Sequence, residues 1–148
     1  MFFISDALRD QLLQALAMMM NGLDTVVQIY DGIVPLDSSA SIGSSNKLVE
    51  ITVDALAAGY VSFDMTPVGG TIVKTASEDW HGAVLANGTA TYYRVCDVAD
   101  TNAASTTALR LQGSVGTVNA DLLVNDVNLI LGDDQRIDYF TIGLPESA

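Results

Sequence analysis

The stretch SDALRDQLLQALAMMMNGLDTVVQIY, residues 5–30, holds the change of texture on which the fold depends. Up to Asn21 it is written in Leu, Ala, Met and Gln, all strong helix formers. Ser5 stands where an N-cap belongs, because its hydroxyl can accept an orphan amide hydrogen bond. Asp6 and Asp10 suit the positive end of a helix dipole. Residues 5–21 therefore read as a helix, stopped by Asn21-Gly22 in a left-handed turn. At about 100° per residue, Leu8, Leu12, Leu13, Ala15, Leu16, Met19 and Met20 share one broad face, expected to meet the core. Arg9 lies inside that face, which leaves it to snorkel to the rim or to pair with an acid on a neighbour. After Gly22 the vocabulary becomes Val, Ile, Thr, Tyr and Gly, that of strands.

The strand vocabulary continues to the end of the chain. Candidate strands are Thr25–Tyr30, Leu48–Val53, Tyr60–Asp64, Thr71–Lys74, Thr89–Asp97, Thr107–Val115, Ala120–Leu123, Asn128–Leu131 and Arg136–Ile142. Asp31-Gly32, Gly69-Gly70, Asn87-Gly88 and Gly132-Asp133 supply turns between them, Asn-Gly being the strongest hairpin signal. Thr91, Tyr93 and Val95 alternate with Tyr92, Arg94 and Cys96, which predicts one wetter face for that strand. Val115-Gly116-Thr117-Val118 suggests a bulge or a close backbone approach. Short strands at this spacing, with no second convincing helix, predict a mainly β protein. The expected form is an antiparallel β-sandwich or jelly-roll-like domain with one N-terminal α-helix. A single domain spans residues 1–148, with the sandwich over 25–142. The segments Leu36–Asn46 and Ala99–Thr106 are small and polar, expected to be mobile or ordered by contact with something.

Composition narrows function by exclusion. Of 148 residues, 49% are hydrophobic and 16% charged, which excludes a disordered acidic tail. The net charge of −12 argues against a nucleic-acid partner. One cysteine, Cys96, excludes an intrachain disulfide and fits a reducing cytoplasm. One histidine, His81, is too few for a His/Cys zinc site, and any Ser-His-Asp or Cys-His device would have to run through it. Its Trp80-His81-Gly82 context carries no nucleophile motif, so an edge-strand or surface histidine is expected. Met1-Phe2-Phe3-Ile4 has no basic residue before it and reads as no signal peptide. The apolar run Leu12–Met20 is too short to span a bilayer, so no membrane partner is expected.

The remaining constellations have bland readings. Gly132-Asp133-Asp134 and Asn125-Asp126 could offer oxygens to a cation such as calcium, but they match no EF-hand loop and read first as turn chemistry. Glu78-Asp79 beside Trp80 could be half of a glycosidase pair, with nothing to place the second carboxylate. Asn87-Gly88-Thr89 fits a glycosylation sequon, yet reads better as a hairpin turn. Tyr92-Tyr93-Arg94 could stack bases, but the surrounding acidity favours a half-buried strand. Met18-Met19-Met20 stands apart. Consecutive methionines point about 100° from one another, so Met18 is expected to be exposed or covered by a neighbour.

The order of the pieces resembles a family of small virion proteins of tailed bacteriophages. The resemblance rests on Leu8-Arg9 in the first helix, Ile29-Tyr30-Asp31-Gly32-Ile33-Val34-Pro35, and Tyr93-Arg94-Val95-Cys96-Asp97. Gly113-Ser114-Val115-Gly116, Asp121-Leu122, Ile130-Leu131-Gly132-Asp133 and Phe140-Thr141-Ile142 complete it. The insertion Ala99–Thr106 departs from the family, which has a tight turn there. The resemblance implies a non-enzymatic capsid decoration, or cement, protein that binds the major capsid protein, commonly as a homotrimer. It implies no catalytic residues and no cofactor or metal. Such a protein is made in the host bacterial cytoplasm and resides on the capsid surface of the virion. Candidate interface residues are Phe2, Phe3, Arg9, Met18, Met19 and Met20. Two other readings stay open: a tail or tail-associated virion subunit, and a carbohydrate-binding β-sandwich module using Trp80, Glu78 and Asp79 in a loop.

Overall fold

The computed structural model describes residues 2–146; Met1, Ser147 and Ala148, at the ends of the expected 1–148 domain, lie outside the described residues. Helix α1 covers Asp6–Asn21, and Ser5 caps it as expected, its Oγ accepting from the Leu8 amide at 3.2 Å. The stop differs from expectation. Gly22 has φ −80°, in the right-handed region, and its N–H returns to the Met18 carbonyl at 3.1 Å. Thr25 Oγ1 donates to the Met20 carbonyl, so a side chain satisfies the helix end that a left-handed glycine would otherwise serve.

Eleven strands follow: β1 (Thr25–Tyr30), β2 (Lys47–Val53), β3 (Thr71–Val73), β4 (Trp80–Ala83), β5 (Gly88–Thr89), β6 (Tyr92–Asp97), β7 (Leu111–Gly116), β8 (Leu122–Leu123), β9 (Asn128–Leu129), β10 (Asp134–Ile137) and β11 (Thr141–Gly143). Seven make one sheet in the order β10-β4-β2-β1-β6-β7-β8. Its pairs are antiparallel except β7–β8, which is parallel. Strands β3–β11 and β5–β9 form two small antiparallel sheets. The protein is thus mainly β with one N-terminal helix, its large sheet curled.

Register divides the sheet into two chemistries. Val27 pairs with Ile51 on one side and Val95 on the other, all fully buried. These join Leu13, Ala17 and Met20 of α1 and the aromatic side chains Phe63, Trp80, Tyr93 and Phe140 in the apolar core. Phe140 is central there, with ring centroids 5.4–5.8 Å from Tyr93, Trp80 and Phe63. One residue along, Gln28 lies between Glu50 and Arg94. That second face carries Gln28, Tyr30, Tyr92, Arg94 and Cys96. The expected wetter face is in fact dry, because loops cover it: Tyr92, Arg94 and Cys96 are all 0% exposed.

Several expected strands are shorter, and the competing bonds explain why. Tyr60–Asp64 is not a strand; only Phe63 bridges to Lys74. The Asn21 side chain takes both backbone groups of Phe63, donating to its carbonyl at 2.9 Å and accepting its amide at 2.8 Å. The amides of Thr107 and Ala108 go to Ser105 Oγ, so β7 starts at Leu111 rather than Thr107. Thr89–Asp97 breaks at Ala90-Thr91, whose amides bond Val127 and Tyr30. Arg136–Ile142 bends at exposed Asp138-Tyr139, sending β10 and β11 to different sheets. Asn87-Gly88 is no hairpin turn, since neither residue has positive φ; Asn87 Oδ1 accepts the Leu131 amide at 2.7 Å instead. Gly69-Gly70 is the true tight turn, with φ +60° and +78° between bridged Val68 and Thr71.

Candidate functional site

The helix packs in a different rotation from the one expected. Its buried residues are Arg9, Leu13, Ala17 and Met20. Leu8, Leu12, Ala15 and Met19, expected to be core-facing, look outward; Leu8 and Leu12 are each 47% exposed and Met19 53%. The reason is Arg9. Its guanidinium donates to the Leu144 carbonyl at 3.0 Å and pairs with Asp6 and Glu146. Its guanidinium is held by groups of its own chain and only about a tenth of the side chain is exposed. A Cβ on Gly70 would fall 2.4 Å from Arg9 Nη1, so the turn's glycine makes room for the guanidinium. Asp10 accepts the Gly70 amide at 2.7 Å and ties the same turn to the helix.

Of the six candidate interface residues, Arg9 and Met20 are therefore internal. Phe2, Phe3, Met18 and Met19 are open to solvent, as expected for Met18. Leu8, Leu12, Ala15 and Met19 recur at i, i+4, i+7 and i+11, within about 60° of one another around the axis. The charged residues of α1 are Asp6, Arg9 and Asp10; Asp6 pairs with Arg9, Arg9 also donates to the Leu144 carbonyl, and Asp10 accepts from Gly70. The outward face of the helix is uncharged in a chain of net charge −12.

A polar layer lies beneath the two long loops, which are ordered by their own chain. Arg94 donates to the carbonyls of Asp37 and Ala40, to Asn102 Oδ1 at 3.2 Å and to Gln112 Oε1 at 3.0 Å. Arg110 grips Asp100 with two bonds of 2.6 and 2.7 Å and also reaches the Ser38 and Ala103 carbonyls. The Arg110 hydrogen bonds hold the Asp100 carboxyl below its ordinary range. Asn102, at φ +59°, donates to Gln28 Oε1 and Tyr30 Oη. Burial pushes the Cys96 thiol up to about 11, so it is a poor nucleophile. Tyr92 and Arg94 are inside this layer and present no stacking surface.

The third feature is an open acidic cleft of about 730 Å³. Asp121, Asp126, Asp133, Asp134 and Asp138 line it with one basic residue, Arg136. The suggested cation ligands Asn125, Asp126, Asp133 and Asp134 all border this cleft. Asp126 does turn chemistry, accepting the Asn128 amide at 2.9 Å. Beside the cleft, Asp54, Asp79 and His81 bring potential ligand atoms within 4.8 Å of one another. Their present bonds lie elsewhere: Arg136 holds Asp79, lowering its pKa, and His81 Nδ1 meets Asp134 Oδ1 at 2.8 Å. Asp54 went unnoticed because β4, which aligns Asp79 and His81 with the end of β2, carries no strand signal in Trp80-His81-Gly82-Ala83. Trp80 stands in that strand rather than in a loop; it is 0% exposed and donates to Glu78 at 2.7 Å. It therefore offers no platform to a sugar.

No protein-family model, known protein or solved structure was found to match the chain. Among the described residues, no helix is long and apolar enough to cross a membrane.

Proposed function

We propose that this protein is a non-enzymatic structural subunit of a tailed-phage virion: a decoration protein that binds the major capsid protein and stabilises the head. It acts as a closed homo-oligomer, a trimer by preference, on the capsid surface. The observation that carries the reading is the uncharged outward face of α1, with Leu8, Leu12, Met18 and Met19 exposed and Phe2 and Phe3 just ahead of it. Large apolar side chains left together on a surface mark an interaction site. On this reading the mainly β fold is a sandwich, with the small sheets β3–β11 and β5–β9 as its second layer.

Magnitudes favour an oligomer. Each half-exposed side chain of this size gains about 1 kcal/mol on full burial. Several together give a few kcal/mol, close to the lower bound of the roughly 4–15 kcal/mol lost in docking a rigid body. One copy would hold weakly. Three linked copies hold well, because the second and third attach at high effective concentration. Head pressure from packaged DNA would then be resisted by area buried across joints between capsid subunits.

The test is light scattering of the purified protein, followed by co-sedimentation with phage heads that lack it. The expected result is an oligomer that sediments with heads and saturates. A strict monomer that stays in the supernatant at every concentration would overturn the proposal.

A further inference from the structure

Strands β10 and β8 are the two ends of the seven-stranded sheet, each bonded to one neighbour, β4 and β7. Both contribute walls to the acidic cleft: Asp134, Gln135 and Arg136 from β10, Leu123 from β8. The cleft is thus the gap across which the curled sheet does not close. An unpaired strand edge is a template for another extended chain. On β10, the Gln135 side chain donates to the Arg136 carbonyl at 2.8 Å and the rest of the edge carries no such cover among the described side-chain bonds.

Charge selects the occupant. Arg136 is already shared between Asp79 and Asp134. Asp133 and Asp138, immediately before and after β10, are exposed and have no basic partner among the described ion pairs. Five residues of extended chain put them roughly 16 Å apart, one at each end of the strand. Tyr139, 90% exposed, and Ile130, 59% exposed, add apolar surface at the rim. Such surface suits the aliphatic stems of long basic side chains, and the tyrosine ring suits their charged ends.

We infer that this cleft takes an extended basic segment of a partner protein, which adds as a strand beside β10 and sets Lys or Arg against Asp133 and Asp138. Main-chain pairing supplies the geometry and the acids supply the choice of sequence. The inference goes beyond the decoration reading and does not need it, since any partner with such a segment would serve.

The test uses the full-length protein and a labelled ten-residue peptide alternating Lys and Val. A Glu-Val peptide of equal length and spermine are the comparison probes. Expected are saturable binding of the Lys-Val peptide, at least about tenfold tighter than the Glu-Val peptide, and slowed hydrogen exchange over residues 132–139. Asp133→Asn with Asp138→Asn should weaken it about tenfold while melting stays unchanged. Equal affinity in that double variant overturns the inference. So does binding without protection of β10, or displacement by spermine at matched charge, because either result describes a diffuse counterion cloud. Loss of binding to phage heads with the Lys-Val result intact would overturn the decoration reading alone.

Discussion

Arg94 is fully buried, and its bonds end on groups from three other segments of the chain: Asp37 and Ala40, Asn102, and Gln112. Removing it strands those acceptors under the loops. Arg94→Met should cost about 3 kcal/mol or more, read from the urea midpoint, and should open Leu36–Asn46 to proteases. A loss under about 1 kcal/mol would show that the polar layer is incidental. Asp100 gives a pH signature. The Arg110 hydrogen bonds depress its folded pKa, so its contribution is complete above the unfolded value near about 3.9 and fades as pH falls through the lower folded value. Melting temperature should therefore drop on acidification below about pH 4, and Asp100→Asn should show a lower but flatter acid limb. An acid limb of unchanged steepness in that variant would assign the pH dependence to other carboxylates.

Among the elements, β1 is fully legible in the sequence, because Thr25-Val26-Val27-Gln28-Ile29-Tyr30 is a run of strong strand formers bounded by Asn21-Gly22 and Asp31-Gly32. The helix limits are legible for the same local reason, a serine cap and a run of strong formers. The helix's rotation is not. It is set by Glu146 and the Leu144 carbonyl, far along the chain, which draw Arg9 inward. β4 is illegible because Gly82 and His81 carry no strand propensity. Gly82 is there for close approach, as a Cβ would lie 2.2 Å from the Glu50 carbonyl oxygen. The order of the two long loops is illegible too, since Leu36–Asn46 is pinned by Arg94 and Arg110, more than fifty residues further along the chain, and no local pattern marks either arginine as a partner of that loop. The helix face yields a discriminating pair of variants. Leu12→Asp should leave the melting temperature nearly unchanged, because that side chain is 47% exposed. Leu13→Ala, at 0% exposure, should cost about 2–5 kcal/mol. Circular dichroism melts of the two, if reversed in order, would refute the observed rotation.

At the scale of the whole molecule, one curled sheet is packed on one face by an apolar core and on the other by loops held with arginines. The sheet and the helix together hold an uncharged apolar helix face in a fixed position on an acidic body. High negative charge keeps many free copies apart, and the uncharged face is where that repulsion is least opposed to contact. The candidate cleft lies at the sheet's open seam, on elements separate from α1, so the two surfaces can be tested independently. The most direct measurement is maleimide labelling of Met19→Cys, free and bound to phage heads. Cys96 is buried with its thiol pushed up to about 11, so it stays silent in the folded protein and reports on intactness. Rapid labelling of the dilute free protein with strong protection on the particle is expected. Equal labelling in both states would contradict the claim that this face of the helix is what the protein uses to attach.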